Sequence, residues 1–201
     1  MSELASFVQV GFRHIVDIEA MDHILFLLAL AAVYRLRDAR LALWVITAFT
    51  VGHSISLALA VTGAVRLPTA LIEFLIPITI ALTGIENLVV AIRRRSSRAG
   101  WYRPVLAGVF GLVHGAGFAN YLNALFMTHI ALPLFGFNVG IELGQLVVLS
   151  AAAVVLSLVD LAIHRLMRHR SSWAPLEVRI AAVSTIIVLV ASRWAFERRP
   201  W

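Results

Sequence analysis

The chain has 201 residues, of which 61% are hydrophobic, with a formal charge of +6, a mean hydropathy of +0.90 and no cysteine. A soluble domain is about half apolar, and one of this size has no core large enough for so many long apolar runs. The absence of cysteine excludes disulfides and thiolate ligands, so any metal site here uses nitrogen and oxygen donors.

Lipid offers the backbone no hydrogen-bond partners, so spanning segments are helices or a closed barrel. The apolar runs are too long and continuous for barrel strands. The sequence therefore predicts an all-α, polytopic integral membrane bundle, organised as a single transmembrane domain over residues 1–201. All 17 basic residues are arginine. They sit mainly in short loops between apolar spans, a pattern that speaks against nucleic-acid binding and for a lipid bilayer as the surrounding partner.

In chain order, residues 1–10 lack the basic start and small-residue cleavage site of a signal peptide. Residues 4–20 are mixed and read as a short amphipathic or re-entrant helix carrying His14, Asp17 and Glu19. The apolar run 24–34 is too short to span alone, so the first span is expected to start near Val16 or Asp22. The second covers 41–62, the third 69–92, the fourth 104–127, the fifth 131 to about 163, and the sixth 178–196. Spans two to six are near the roughly 20 residues a bilayer requires. The expected count is six transmembrane helices, or seven if the N-terminal helix is separate.

Arginines alternate between loops. Arg35, Arg37 and Arg40 follow the first span. Arg93, Arg94, Arg95, Arg98 and Arg103 follow the third, and Arg165, Arg168, Arg170 and Arg179 follow the fifth. The loop after the second holds only Arg66, and the loop after the fourth holds none. The positive-inside rule places the arginine-rich loops in the cytoplasm. Both termini then face outside, against the mild contrary pull of Arg193, Arg198 and Arg199. Trp44, Trp101, Trp173 and Trp194 read as interfacial anchors, and His129, His164 and His169 as ordinary residues at span ends or in a loop.

Ionisable groups in hydrocarbon cost about 2.5–3.5 kcal/mol each on insertion scales, so they are rare and usually functional. Asp22 and His23 open the first span, and His53 and Ser54 sit near the middle of the second. Glu73 starts the third, with Glu86 and Asn87 further in. His114 lies in the fourth, and Asn138, Glu142 and Gln145 in the fifth. At 1.5 Å per residue, His53 is about 18 Å into its span. His114 is near the midplane too, and Asp22, His23, Glu73, Asn138 and Glu142 lie in the outer half. Five helices thus offer polar groups at overlapping depth, with Glu86 nearer the cytoplasm.

Asn138, Glu142 and Gln145 are spaced i, i+4, i+7 and form one stripe. Thr79, Thr83 and Glu86 repeat that spacing, and Thr50, His53 and Ser54 share a face. Pro77 has no N–H and frees the carbonyl of Glu73. Gly108, Gly111, Gly115, Gly140 and Gly144 allow close helix approach. Taken singly, each has an ordinary reading: an interhelical hydrogen bond for a histidine, a helix cap for Asp22, packing for the glycines. Together, neutral imidazole with carboxylate suits a divalent transition metal such as nickel, cobalt or zinc. The same set fits a labile site in a metal-cation transporter. It also fits a catalytic zinc in an intramembrane hydrolase, with Glu142 or Glu86 activating water and Ser54 or Asn138 at the oxyanion.

Five stretches resemble the HupE/UreJ family, in its second, broader branch. They are 14–28 (HIVDIEAMDHILFLL), 47–57 (TAFTVGHSISL), 73–87 (EFLIPITIALTGIEN), 111–119 (GLVHGAGFA) and 137–145 (FNVGIELGQ), about two-thirds of the chain with the spans between. The resemblance implies a six- or seven-helix bacterial inner-membrane protein, permease-like for nickel or cobalt and associated with hydrogenase and urease maturation. Its metal-site candidates are His14, Asp22, His23, His53, Glu73, Glu86, His114, Asn138 and Glu142. One departure concerns His14. The family usually places this histidine seven residues before the Asp-His histidine, with a glycine between; here the spacing is nine and the glycine is absent, which leaves Asp17 open as a substitute.

Overall fold

The computed structural model describes residues 2–93, 102–123, 131–166 and 174–201. Among these there are seven α-helices and no strand: α1 (Glu3–Val16), α2 (Met21–Val33), α3 (Ala39–Val61), α4 (Thr69–Ile92), α5 (Tyr102–Asn123), α6 (Ala131–Leu166) and α7 (Pro175–Glu197). Four of them, α3, α4, α6 and α7, are long and apolar enough to cross a membrane. The chain is a helical membrane bundle. The expected end of the fourth span, Met127, lies outside the described residues, as do Arg94, Arg95, Arg98, Trp101, His129, Arg168, His169, Arg170 and Trp173.

The N-terminal helix is separate. The Ser2 hydroxyl starts α1 by accepting from the Ala5 amide at 3.4 Å, and the helix stops at Asp17, whose backbone is extended. A single 3-10 turn over Ile18–Ala20 leads into α2. Thirteen residues rise only about 20 Å, short of the roughly 30 Å hydrocarbon core. A short helix is tolerated there because protein covers it: His23, Leu25, Phe26, Leu27, Ala29, Leu30, Ala31, Ala32 and Val33 are all buried. Thus α2 is the central strut of the bundle, packed on α4, α6 and α7.

Around it the helices pack in three extensive pairs, α3 with α5, α1 with α6 and α4 with α7. Without a hydrophobic drive in lipid, such pairs depend on close van der Waals fit. A side chain at Gly52 would overlap the Gly108 carbonyl, and one at Gly111 would overlap the Phe49 carbonyl. Likewise Gly11 lies against the Phe137 carbonyl and Gly140 against that of Val8. These backbone contacts fix the height of α3 against α5, and of α1 against α6. They therefore fix the height of the histidines those helices carry.

Polar clamps close the two ends. At one, the Arg179 guanidinium of α7 donates to the Ala32 and Tyr34 carbonyls at 3.1 and 3.0 Å, satisfying the end of α2, and pairs with Asp160 of α6. On the same side of the sequence alternation, Glu86 near the end of α4 accepts from Tyr102 at 2.6 Å and pairs with Arg103, both at the start of α5. Asn87 donates to the Ala29 carbonyl at 2.7 Å. At the opposite end of α2, Arg198 pairs with Asp22 at 3.0 Å, and Trp201 stands edge-on to Phe74 with ring centroids 5.3 Å apart. The segment after α7 therefore folds back over the start of α2.

Candidate metal centre

Three helices deliver one histidine each to a common point. His14 comes from the last turn of α1, His23 from the first turn of α2, and His53 from the middle of α3. Each offers a ring nitrogen, and the three nitrogens lie within 4.8 Å of one another. Ring centroids are 4.6 Å apart for His14 and His23, 6.0 Å for His14 and His53, and 6.1 Å for His23 and His53. His114 of α5 stands beside the group, its ring 5.3 Å from that of His23. The altered spacing of His14 is absorbed by the turn between α1 and α2, which lets both histidines reach the same place. The substitute, Asp17, is exposed.

Hydrogen bonding separates this cluster from ordinary core histidines. His23 is 7% exposed and His53 0%. Both nitrogens of each are buried without a partner, as are His14 Nε2 and His114 Nδ1. Leaving a buried polar group unpaired costs about 1–3 kcal/mol. Six such nitrogens converging from four helices are hard to reconcile with a purely structural role, and they match what a cation would satisfy. The donor type suits a first-row divalent metal, and the three residues are near enough to hold one between them.

The surroundings are aromatic. Phe118 lies with its ring centroid 3.9 Å from that of His14, Phe49 is 5.2 Å from His114, Phe26 is 5.6 Å from His114, and Phe137 is 6.3 Å from His53. Phe118 and Phe137 stack on each other at 5.2 Å. Sequence reasoning missed these walls, although the signal was present. Phe26 follows His23 by three residues, Phe49 precedes His53 by four and Phe118 follows His114 by four, spacings that place each pair on one helical face. These apolar walls lower the local dielectric and so strengthen any ion–imidazole interaction between them.

The remaining candidates are not drawn into the three-histidine group. Asp22 is next to His23 in sequence. One of its oxygens is held by Arg198 and the other is buried without a partner. Asn138 is half-buried with its side-chain oxygen unpartnered. Glu73 and Glu142 are exposed on α4 and α6. Glu86 is bound to Tyr102 and Arg103. Ser54 donates to the Thr50 carbonyl of its own helix at 2.6 Å, and Gln145 accepts from the Thr50 hydroxyl at 2.9 Å. Among the described residues the grouped ligands are imidazoles with no carboxylate, so neither Glu142 nor Glu86 stands in the group.

Residues 1–198 match the model of a protein family described as HupE / UreJ protein. No curated protein and no solved structure matches the chain.

Proposed function

The chain belongs to the HupE/UreJ family, and from that premise we propose that it is a metal-cation permease whose intramembrane site is formed by His14, His23 and His53. The single observation behind this reading is the convergence of three imidazoles, two buried and one half-buried, with unpartnered nitrogens. Nickel, cobalt and zinc are the ions suited to such a set, and imidazole ligation favours all three over magnesium or calcium.

The absence of a grouped carboxylate bears on transport. Three neutral imidazoles supply three ligands to a divalent ion, leave at least one position open and neutralise none of its charge. In an aromatic cage, such a site holds an ion less tightly than a charged one would, which suits a cation that must leave again. Attraction comes from nearby partial and full charges. The C-terminal end of α1, where His14 sits, carries the negative end of its helix dipole. Asp22 supplies a carboxylate beside His23. A break between helices at a polar intramembrane site is a feature that ion-coupled carriers use repeatedly. On this route an ion arrives past Asp22, exchanges water for the imidazoles of His23, His14 and His53, and moves on with the help of His114. The remaining candidates of the sequence, Glu73, Glu86, Asn138 and Glu142, stay outside the three-histidine group, with Glu86 held by Tyr102 and Arg103.

On the same reading the protein resides in a bacterial inner membrane with its arginine-rich loops cytoplasmic, as positive-inside asymmetry favours. No observation favours the hydrolase alternative. The test is uptake of Ni²⁺, Co²⁺ and Zn²⁺ into proteoliposomes, measured by internal metal content. Uptake of at least one ion by the wild type, lost in His53→Ala, is the expected outcome. No uptake of any of them would contradict the permease reading.

A further inference from the structure

His114 differs from the other three histidines in one respect: its Nε2 has a partner. The hydroxyl of Thr79, on α4, lies 3.0 Å from it. The same hydroxyl oxygen lies 2.7 Å from the Ile76 carbonyl oxygen one turn back. A hydroxyl has one proton. If that proton pointed at His114, the Thr79 and Ile76 oxygens would face each other at hydrogen-bond distance with no proton between them, which is repulsive. The proton therefore lies toward Ile76, the usual back-bond of a threonine inside a helix. Thr79 is left as an acceptor toward the ring, and Nε2 of His114 must be the donor.

A neutral imidazole carries one N–H. With the proton on Nε2, the lone pair of His114 is on Nδ1, the nitrogen that is buried without a partner on a ring 5.3 Å from His23. Both Thr79 and His114 are buried, at 5% and 1% exposure. Water therefore does not compete for the bond. The pair also joins α4 to α5, whose mutual packing is much slighter than that of α5 with α3.

We infer that Thr79 is a positioning residue for the metal path, holding His114 in the tautomer whose Nδ1 lone pair is free to take the ion beyond the three-histidine site. The inference rests on the permease reading. It concerns a residue that touches His114 rather than the ion, and partners of that kind change metal affinity or activity by roughly 10–100-fold when removed.

The test uses the full-length protein, labelled with ¹⁵N-histidine, in lipid nanodiscs. In the metal-free wild type, the ¹⁵N spectrum of His114, assigned with His114→Gln, is expected to show a protonated Nε2 and a bare Nδ1. Thr79→Val, which keeps the shape and removes the acceptor, is expected to abolish that preference and to slow Co²⁺ or Ni²⁺ uptake into proteoliposomes by roughly 10-fold or more. Thr79→Ser is expected to restore both. A wild-type ring protonated on Nδ1 would overturn the inference, as would unchanged tautomer and uptake in Thr79→Val. The spectrum is read without metal, so it reports on the hydrogen bond independently of the permease reading. Failure of the wild type to bind any divalent ion would remove that reading, and the metal role of Thr79 with it.

Discussion

His53→Leu separates a metal site from a structural histidine because the two roles predict opposite signs. His53 is fully buried at 0% exposure, and both ring nitrogens lack partners. Its neighbours include Phe49 and Phe137, so an apolar replacement of similar size meets an apolar wall. Removing two unsatisfied polar atoms relieves a burial cost of about 1–3 kcal/mol for each. Imperfect repacking returns up to about 1.5 kcal/mol. The metal-free variant should therefore be at least as stable as the wild type, and up to a few kcal/mol more stable. At about 2–4 °C per kcal/mol for a chain of this size, that is a rise of several degrees in Tm. With metal the order reverses. An ion at a hundredfold excess over its dissociation constant stabilises the wild type by about 2.7 kcal/mol, and the variant loses this term. The assay is thermal unfolding in nanodiscs, with chelator and then with Ni²⁺, Co²⁺ or Zn²⁺. A variant less stable than wild type in chelator that still responds fully to metal would show that His53 holds the fold together and not the ion.

Glu86→Gln should lower stability, because Arg103, 8% exposed, is left without its carboxylate; removing one partner of a buried pair costs about 3–5 kcal/mol, and less where one side is part-exposed as Glu86 is. Metal binding at the three histidines should be unchanged, as equilibrium dialysis with Co²⁺ can check. Gly111→Ala should destabilise by at least about 1–3 kcal/mol, since its methyl meets the Phe49 backbone. Gly117→Ala, whose methyl meets side chains and no backbone (the tip of Ile76 at 3.2 Å and Ile72 Cγ2 at 3.4 Å), should be milder in the same unfolding assay. Arg198→Gln frees the second oxygen of Asp22 and should speed metal uptake several-fold; slower uptake would mean that the pair is needed to hold the mouth of the path in place.

Hydropathy locates the long helices closely. It predicts the third span over 69–92, and α4 is Thr69–Ile92; it predicts the fifth from 131 to about 163, and α6 is Ala131–Leu166. Such boundaries are legible because an apolar run either ends in arginines, as at Arg93, or begins at a turn, as around Pro68. The separation of α1 from α2 is harder to see, since His14, Asp17 and Glu19 interrupt the pattern without a proline or glycine to mark the break. Depth brings His23 and His53 within reach of each other but does not set the faces on which their rings meet. The place of His14, whose spacing departs from that of the family, is set only by the turn at Ile18–Ala20.

The stripe of Asn138, Glu142 and Gln145 shows where depth and spacing stop being informative. Helical spacing fixes the angle between these side chains but not the direction of the stripe in the bundle. That direction is set by what packs on α6. Gly136, Gly140 and Gly144 seat α1 along one side, and the Thr50 bond to Gln145 ties α3 to another. Glu142 then falls at the open edge and is exposed, although both neighbours in the stripe are at least half-covered. The role of Glu86 is similarly hidden, because Tyr102 and Arg103 follow it only after a loop whose course the sequence does not specify.

On the permease reading, three imidazoles grip one ion. X-ray absorption at the cobalt or nickel edge of metal-loaded protein counts them directly. The wild type should show multiple scattering from three histidine rings, and His14→Ala, His23→Ala and His53→Ala should each show fewer or bind no ion. A spectrum dominated by carboxylate and water oxygens, unchanged in all three variants, would contradict it.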